Sequence, residues 1–390
     1  MFGSRRRQET PREPYRTSPD GKPRHQKIVI FDEKARRDEW FGILENCRGH
    51  ILRELPLVHG MVVLVDEDES GDVESLASKR AGVVRVDDDL DIEMVYELGS
   101  LAWGPRTRED IPWGVARIHL EGVDKSGRGV KVAVLDTGVD QTHPDLAGNI
   151  KANHTLLSGA ISARDDNGHG THVIGTIAAL HNGIGITGVA PKASVYAVKV
   201  LDSKGSGKLS TLIEGIGWCL DKGIKVVNMS LSSSKENQTF RDGIQNARRA
   251  GMSMVCAAGN EGPTANSVGY PAKYVETIAV TATNKDDGIA DFSSRGREVA
   301  LCAPGVDILS TWPGRKYRRS SGTSMASPHV AGAVALLLEA DSSLSPSDIK
   351  SILQSSADRL DGASSDEQGA GIINVSAALA RVSKKRVLGP

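Results

Sequence analysis

Asp136 closes an apolar run, "VKVAVLDTGVD", and is followed by Thr137 and Gly138. A carboxylate presented this way suits two kinds of chemistry. In a dyad, two such acids sit close enough to share one proton, so a second Asp-Thr/Ser-Gly must appear or the chain must dimerise about the first. In a triad, the acid orients a histidine that activates a nucleophile. The sequence holds no second copy of the motif. The dyad lacks its partner.

The triad finds both of its partners. "DDNGHGTHVIGTIAAL" sets His169 between Gly168 and Gly170 as the chain turns into helical spacing. "SSGTSMASPHVAGAVALLL" puts Ser324 at the start of a helix of small and apolar residues, just after Gly322. A helix N-terminus offers free N–H groups and the positive end of its dipole where an oxyanion would form. Pro328 removes one helical hydrogen bond, so distortion is expected near that start. In "AAGNEG", Asn260 ends a strand and can donate its side-chain NH2 to the same oxyanion, beside the Ser324 backbone N–H. Other histidines have plainer readings. His172 with His169 could form a metal pair, yet no third ligand is spaced to join them. His143, in a turn before Pro144, and His329, after Pro328, read as packed residues. Asn228 and Met229 read as strand-end packing.

The elements that must hold these groups are legible from Pro112 onward. "VKVAVL", "SVYAVKVL", "KVVNMSL", "SMVCAAG", "ETIAVTA" and "VALCAPG" are near-continuous apolar runs, as strands buried on both faces require. Between them lie the helical stretches "GTHVIGTIAAL", "LSTLIEGIGWCLDKG", "TFRDGIQNARRAG" and "SMASPHVAGAVALLLEA". Alternation of this kind predicts a doubly wound α/β domain with a mainly parallel sheet, in which sites form at the carboxyl ends of strands. Asp136 stands at one such end.

Ahead of it, residues 26–98 read as a small α+β unit: strand "KIVIF", helix "KARRDEWFGILENCRGHIL", strand "HGMVVLVDED", helix "VESLASKRAG" and a final strand stretch "VVRVDDDLDIEMV". Residues 1–25 read as a disordered tail and 99–111, rich in Gly, Pro and charge, as an exposed linker. The large domain spans 112–380, and 381–390 is a C-terminal tail. The 390 residues carry 48 Lys+Arg against 49 Asp+Glu, so no one-sign field favours nucleic acid or anionic lipid as a partner. No apolar run approaches the ~20 residues of a membrane span. Arg5, Arg6 and Arg7 lack the apolar segment that an export signal needs, which predicts a cytoplasmic protein, with a secreted form as the alternative. Cys47, Cys219, Cys256 and Cys302 show no CxxC spacing and read as buried free thiols, in keeping with a reducing compartment.

"VLDTGVDQTHPDL", "NGHGTHVIGTIAAL", "AAGNEG" and "GTSMASPHVAGAVALL" together resemble the signature blocks of the subtilisin-like serine proteases, in that family's order Asp, His, Ser. The resemblance runs from about Pro112 to about Leu379. It implies that Ser324 is the nucleophile, His169 the general base and then acid, Asp136 the residue that fixes the imidazole, and Asn260 an oxyanion donor. It also implies that Gly205, Ser206 and Gly207 and, opposite them, Ser230, Leu231 and Ser232 pair with substrate backbone. Gly269 then lies at the floor of the first specificity pocket, with room for a large apolar side chain. Ser232 and Ser321 depart from a glycine and an asparagine frequent at those places.

Two further expectations come with the resemblance. The front domain is similar to the family's inhibitory propeptide, which assists folding and leaves its last strand in the cleft, so the chain is expected to be a self-processing zymogen cut between about Met94 and Arg108. The loop "AALHNGIGITGVAP" interrupts the helix that starts at His169, and a matching loop in the family wraps a structural Ca²⁺. The implied ligands are the carbonyls of Leu180, Ile184 and Ile186, the side chain of Asn182, the carboxylate of Asp145 and a side-chain oxygen of Glu109, all hard oxygen donors. A plain glycine loop is the alternative. Protein or peptide substrates and the chain's own propeptide are the partners so implied. A peptide ligase or cyclase that uses the same acyl-enzyme is the rival function, and an inactive protease-fold binding protein would lack a triad or oxyanion residue, which this chain does not.

Overall fold

The structure, a computed structural model, describes residues 24–45, 50–66, 82–95, 98–100 and 102–388. At the front, β1 (Arg24–Phe31), α1 (Arg37–Glu45), β2 (His50–Leu55), β3 (Gly60–Asp66) and β4 (Val83–Asp88) build an antiparallel sheet in the order β2-β3-β1-β4. That is the strand order of the split β-α-β ferredoxin-like unit. The expected helix "VESLASKRAG" lies outside the described residues, as does Cys47.

Side chains alternate across a strand, and this sheet uses both faces. Val29 and Phe31 turn toward Trp40 and Leu44, with the Phe31 and Trp40 rings stacked 4.8 Å apart. Ile28 and Ile30 turn the other way, with Leu55, Val58 and Val62, into the core of the large domain. The front unit thus covers one face with its own helix and the other with the body of the protein. The predicted helix is helical over Arg37–Glu45, residues 46–49 lie outside the described residues, and "GHIL" is already strand from His50. Ile51 packs into the front core and Leu52 against the large domain, so pairing with β3 overrides the helical spacing.

The chain then leaves through β5 (Asp91–Met94) and β6 (Leu98–Gly99) and enters the parallel sheet. Its strands are β7 (Lys131–Asp136), β8 (Ile150–Thr155), β9 (Ser194–Lys199), β11 (Val226–Met229), β13 (Ser253–Ala257), β14 (Ile278–Thr283) and β15 (Val299–Pro304), in the order β15-β14-β13-β11-β7-β9-β8. Short strands β10 (Ser206–Lys208) and β12 (Leu231–Ser232) flank β5 in a separate sheet. Along β7, Val132 and Val134 face α2 (His169–Ala178) and α5 (Thr323–Ala340), whereas Ala133 and Leu135 face α3 (Leu209–Asp221) and α4 (Gln238–Arg249). Helices on both faces explain why these strands are apolar throughout.

All six predicted apolar strands and all four predicted helices of this domain are present. Other strands have no apolar run to announce them. β8, "IKANHT", is an edge strand with alternating exposure, and the hairpin of β16 (Ile308–Trp312) and β17 (Lys316–Ser321) carries Arg318 and Arg319. The expected exposed linker is partly strand: β6 pairs with β17, and Trp103 bridges to Tyr317. Backbone pairing of that kind needs no apolar periodicity. Helix also runs into the expected tail 381–390. After α6 (Pro346–Ser356), α7 (Val375–Leu388) carries Val382 into the main core.

Candidate active site

Asp136 sits at the carboxyl end of β7, buried, and its Oδ1 lies 2.8 Å from Nδ1 of buried His169 while accepting the Thr137 N–H at 2.7 Å. His169 opens α2, whose N-cap is Gly168 at φ 114°, a left-handed conformation that glycine adopts without strain. A Cβ on Gly168 would come within 2.6 Å of Trp312 Cε2, and one on Gly170 would overlap the carbonyl oxygen of Gly138. The two glycines that flank His169 are therefore what let the helix start press against β7 and β16.

Asp165 holds this junction together, and sequence reasoning did not single it out. Its Oδ1 accepts from Thr137 Oγ1 (2.8 Å) and Gly168 N (2.8 Å), and its Oδ2 from Thr171 N (2.8 Å) and Thr171 Oγ1 (2.6 Å). One carboxylate thus ties the residue after Asp136 to the first turn of the His169 helix, where the dipole favours negative charge. Buried Lys199 was missed as well. Its ammonium donates to the carbonyls of Thr137 (2.6 Å) and Leu201 (2.9 Å) and pairs with Asp166. An acid three to four residues ahead of a helix was the available signal for Asp165. Nothing in the spacing marked Lys199.

Ser324 lies in the first turn of α5, which packs against α2. Its Oγ donates to the Ser230 carbonyl at 3.2 Å and lies 3.5 Å from the carbonyl oxygen of Val95. Ser230 returns the contact, Oγ to the Ser324 carbonyl at 3.1 Å, and Asn228 Nδ2 donates to Ser230 Oγ at 3.0 Å. Asn228 therefore braces the nucleophile turn and does more than pack a strand end. Asn260 accepts both the N–H and the hydroxyl of Thr323 on its Oδ1, each at 3.0 Å. A Cβ built on Gly322 would stand 3.1 Å from Asn260 Nδ2 and 3.7 Å from Ser324 N, which puts both donors on the same side of the nucleophile turn.

The chain's own β5 lies between β10 and β12, antiparallel to both. Ser206 pairs with Glu93, Gly207 with Ile92, Leu231 with Met94 and Ser232 with Glu93. Met94 N donates to Gly205 O at 2.7 Å and Val95 N to Ser230 O at 3.3 Å. A side chain on Gly205 would strike the Met94 thioether, and one on Gly207 the Val200 carbonyl. Val95 is buried beside a cavity lined by Ser232, Gly259, Asn260, Gly269 and Tyr270. A Cβ on Gly269 would stand 3.1 Å from that of Ser232. Ser321 Oγ accepts the Asp307 N–H at 2.9 Å.

The remaining histidines are engaged elsewhere. His172 Nε2 meets the carbonyls of Ile308 and Arg318, and His143 Nε2 meets that of Lys316. His329 donates Nδ1–H to Met325 O, and burial pushes its pKa down to about 4. Cys219, Cys256 and Cys302 are buried free thiols, each raised by desolvation, Cys256 to about 12.

Facing the glycine loop, buried Asp145 accepts from Ile186 N and Tyr317 OH, both at 2.9 Å, and burial raises its pKa. Asn182 Nδ2 approaches it at 3.4 Å, while Glu109 accepts Asn182 N at 2.9 Å and meets His181 at 2.8 Å. Among the described residues no group of three or more His, Cys, Asp or Glu is placed to hold a metal. A cation here would thus rest chiefly on amide oxygens. The carbonyls of Leu180, Ile184 and Ile186 accept no hydrogen bond from the described residues, so this donor set fits a hard cation.

An acid–imidazole pair at a strand end, and a serine at a helix N-terminus with an extended strand laid against it, are the features of a serine endopeptidase. Residues 127–371 match the Subtilase family. The chain is 44% identical over 275 residues to Subtilisin Savinase of Lederbergia lenta, a span of 69% of this chain and 99% of that protein. It is 45% identical over 278 residues to Subtilisin E of Bacillus subtilis, covering 69% of this chain and 71% of the relative. The structure of fervidolysin from Fervidobacterium pennivorans, a keratinolytic enzyme related to subtilisin, superposes with a TM-score of 0.80 at 28% identity. That match takes in 92% of this chain and spans 61% of fervidolysin. The chain belongs to the subtilase family and is a subtilisin-like serine endopeptidase that acts on proteins. Among the described residues no helix is long and apolar enough to cross a membrane.

Proposed function

We propose that Ser324, His169 and Asp136 form the catalytic unit and that the chain is a zymogen whose first substrate is its own Val95–Tyr96 bond. The observation that carries this reading is β5 in the cleft, with the Val95 carbonyl oxygen 3.5 Å from Ser324 Oγ. His169 commits Nδ1 to Asp136, which leaves Nε2 to take the serine proton. Ser324 Oγ attacks the carbonyl carbon. The developing oxyanion is received by Asn260 Nδ2 and Ser324 N, fixed donors that need no reorganisation. His169 then protonates the leaving amine, and water repeats the sequence to free the acyl group. Substrate proteins take the same strand position between Gly205–Gly207 and Ser230–Ser232, with Gly269 at the base of the pocket for the residue that donates the carbonyl.

The front domain acts as the inhibitor. Asp89 accepts Ser210 N and Oγ (2.8 and 2.7 Å) at the start of α3, and Asp87 accepts Thr239 N (3.2 Å) at the start of α4. Arg53–Glu214 and Arg85–Asp242 add ion pairs beside the shared apolar face. Asp145, Asn182, Glu109 and the carbonyls of Leu180, Ile184 and Ile186 would hold Ca²⁺, which would pin the glycine loop to the start of the domain. Intact-mass analysis of refolded protein tests the reading. Fragments that end at Val95 and begin at Tyr96 support it, and a protein that hydrolyses casein while staying full length refutes it.

A further inference from the structure

Past the proposed cut, the described residues 98–100 and Trp103 lie along β17. Leu98 pairs with Ser321 and Gly99 with Ser320. Ser100 N donates to Arg319 O at 3.0 Å, Trp103 N to Tyr317 O at 2.8 Å and Tyr317 N to Trp103 O at 3.2 Å. The outer edge of β17 therefore carries an extended peptide on the leaving-group side of Ser324. Counted from Val95–Tyr96, Gly99 is the fourth residue beyond the bond.

At that residue the pairing meets a side chain. Arg318 lies flat on Trp312, its guanidinium carbon 4.3 Å from the ring centroid. A Cβ on Gly99 would stand 2.6 Å from Arg318 Nε and 2.7 Å from Cζ. Trp312 is itself wedged against Gly168, next to His169, and edge-on to His172. Any residue with a side chain at this place must shift the guanidinium, the mobile end of the Arg318 side chain, from its seat over the ring.

We infer that the edge of β17 is an extended substrate site on the leaving-group side, and that Arg318, held on Trp312, is a specificity determinant selecting glycine four residues past the scissile bond. The ligand is an extended polypeptide with glycine at that place; the chain's own Leu98, Gly99, Ser100 and Trp103 show the fit before the cut and vacate the edge for substrate after it. The register rests on the Val95–Tyr96 reading. Weakening of the cation–π contact caps the selectivity at about fivefold for glycine over alanine.

Two experiments test this. First, the processed enzyme digests a proteome-derived peptide library, and cut sites are read by mass spectrometry. Glycine is expected to be enriched about fivefold at the fourth residue after the cut, and the enrichment is expected to vanish in both Arg318→Ala and Arg318→Gln. Second, self-processing of the full chain is timed. Gly99→Val is expected to slow it about fivefold, and Gly99→Val with Arg318→Ala to restore it. No enrichment, enrichment that survives both Arg318 variants, or a double variant as slow as Gly99→Val alone would overturn the assignment. A wild-type cut away from Val95–Tyr96 would refute the register, while the library profile would still decide the role of Arg318.

Discussion

His329 should make the protein acid-sensitive through the helix that carries its nucleophile. The residue is buried five positions after Ser324 in α5, donates Nδ1–H to Met325 O, and leaves no room for a side chain on Gly114, whose Cβ would meet Nε2 at 2.6 Å. Burial, with a further push from nearby His172, lowers its pKa from 6.5 to about 4. Above 6.5 both folded and unfolded chains hold the neutral ring. Between 6.5 and about 4 the unfolded chain binds a proton that the folded chain refuses, so stability falls as pH falls. At about 1.4 kcal/mol per pH unit, that gap amounts to about 3 kcal/mol lost by pH 4. The assay is urea unfolding at pH 7 and pH 4 in a Ser324→Ala background, which prevents autolysis, with and without His329→Gln. The glutamine variant should lose about 3 kcal/mol less between the two pH values. Equal losses in the two proteins would refute the argument that this buried imidazole must charge on unfolding.

Asn260→Ala should lower kcat by about 10²–10³, a magnitude taken over from subtilisin, because Ser324 N remains as a second oxyanion donor; steady-state kinetics on a peptide substrate reads it. Ca²⁺ should raise the stability of the processed enzyme by about 2.7 kcal/mol at a hundredfold excess over its Kd, and Asp145→Ala should abolish that response in thermal melts with and without chelator. Asp89→Ala removes two hydrogen bonds at the start of α3 and should shorten the lag between self-cleavage and full casein hydrolysis by about tenfold.

How much of this could be read from the sequence depends on what each part uses to hold itself. The parallel sheet announced itself because strands such as β7 and β13 are buried on both faces and so must be apolar throughout. Asp136, His169, Ser324 and Asn260 were legible because each is set among small residues that nothing but close backbone approach explains. β17 and the segment docked on it were not, because their pairing runs through backbone groups that any residue supplies. β2 was hidden by a helix-like spacing that its two-sided packing overrode. Asp165 was visible only as one acid among several ahead of a helix, and Lys199 only as a cation inside an apolar strand. Its partners, two carbonyls and Asp166, exist only after the fold brings β7 beside β9.

The central claim is that Ser324 cleaves peptide bonds, beginning with the bond that its own chain lays across it. N-terminal sequencing of purified wild type beside Ser324→Ala, each also assayed on casein, tests it most directly. The account predicts a new N-terminus at Tyr96 in the wild type, none in the variant, and a loss of casein hydrolysis on the order of 10⁶, the scale known from subtilisin. A Ser324→Ala protein that still acquires the Tyr96 terminus in pure form, or that hydrolyses casein at the wild-type rate, would contradict it.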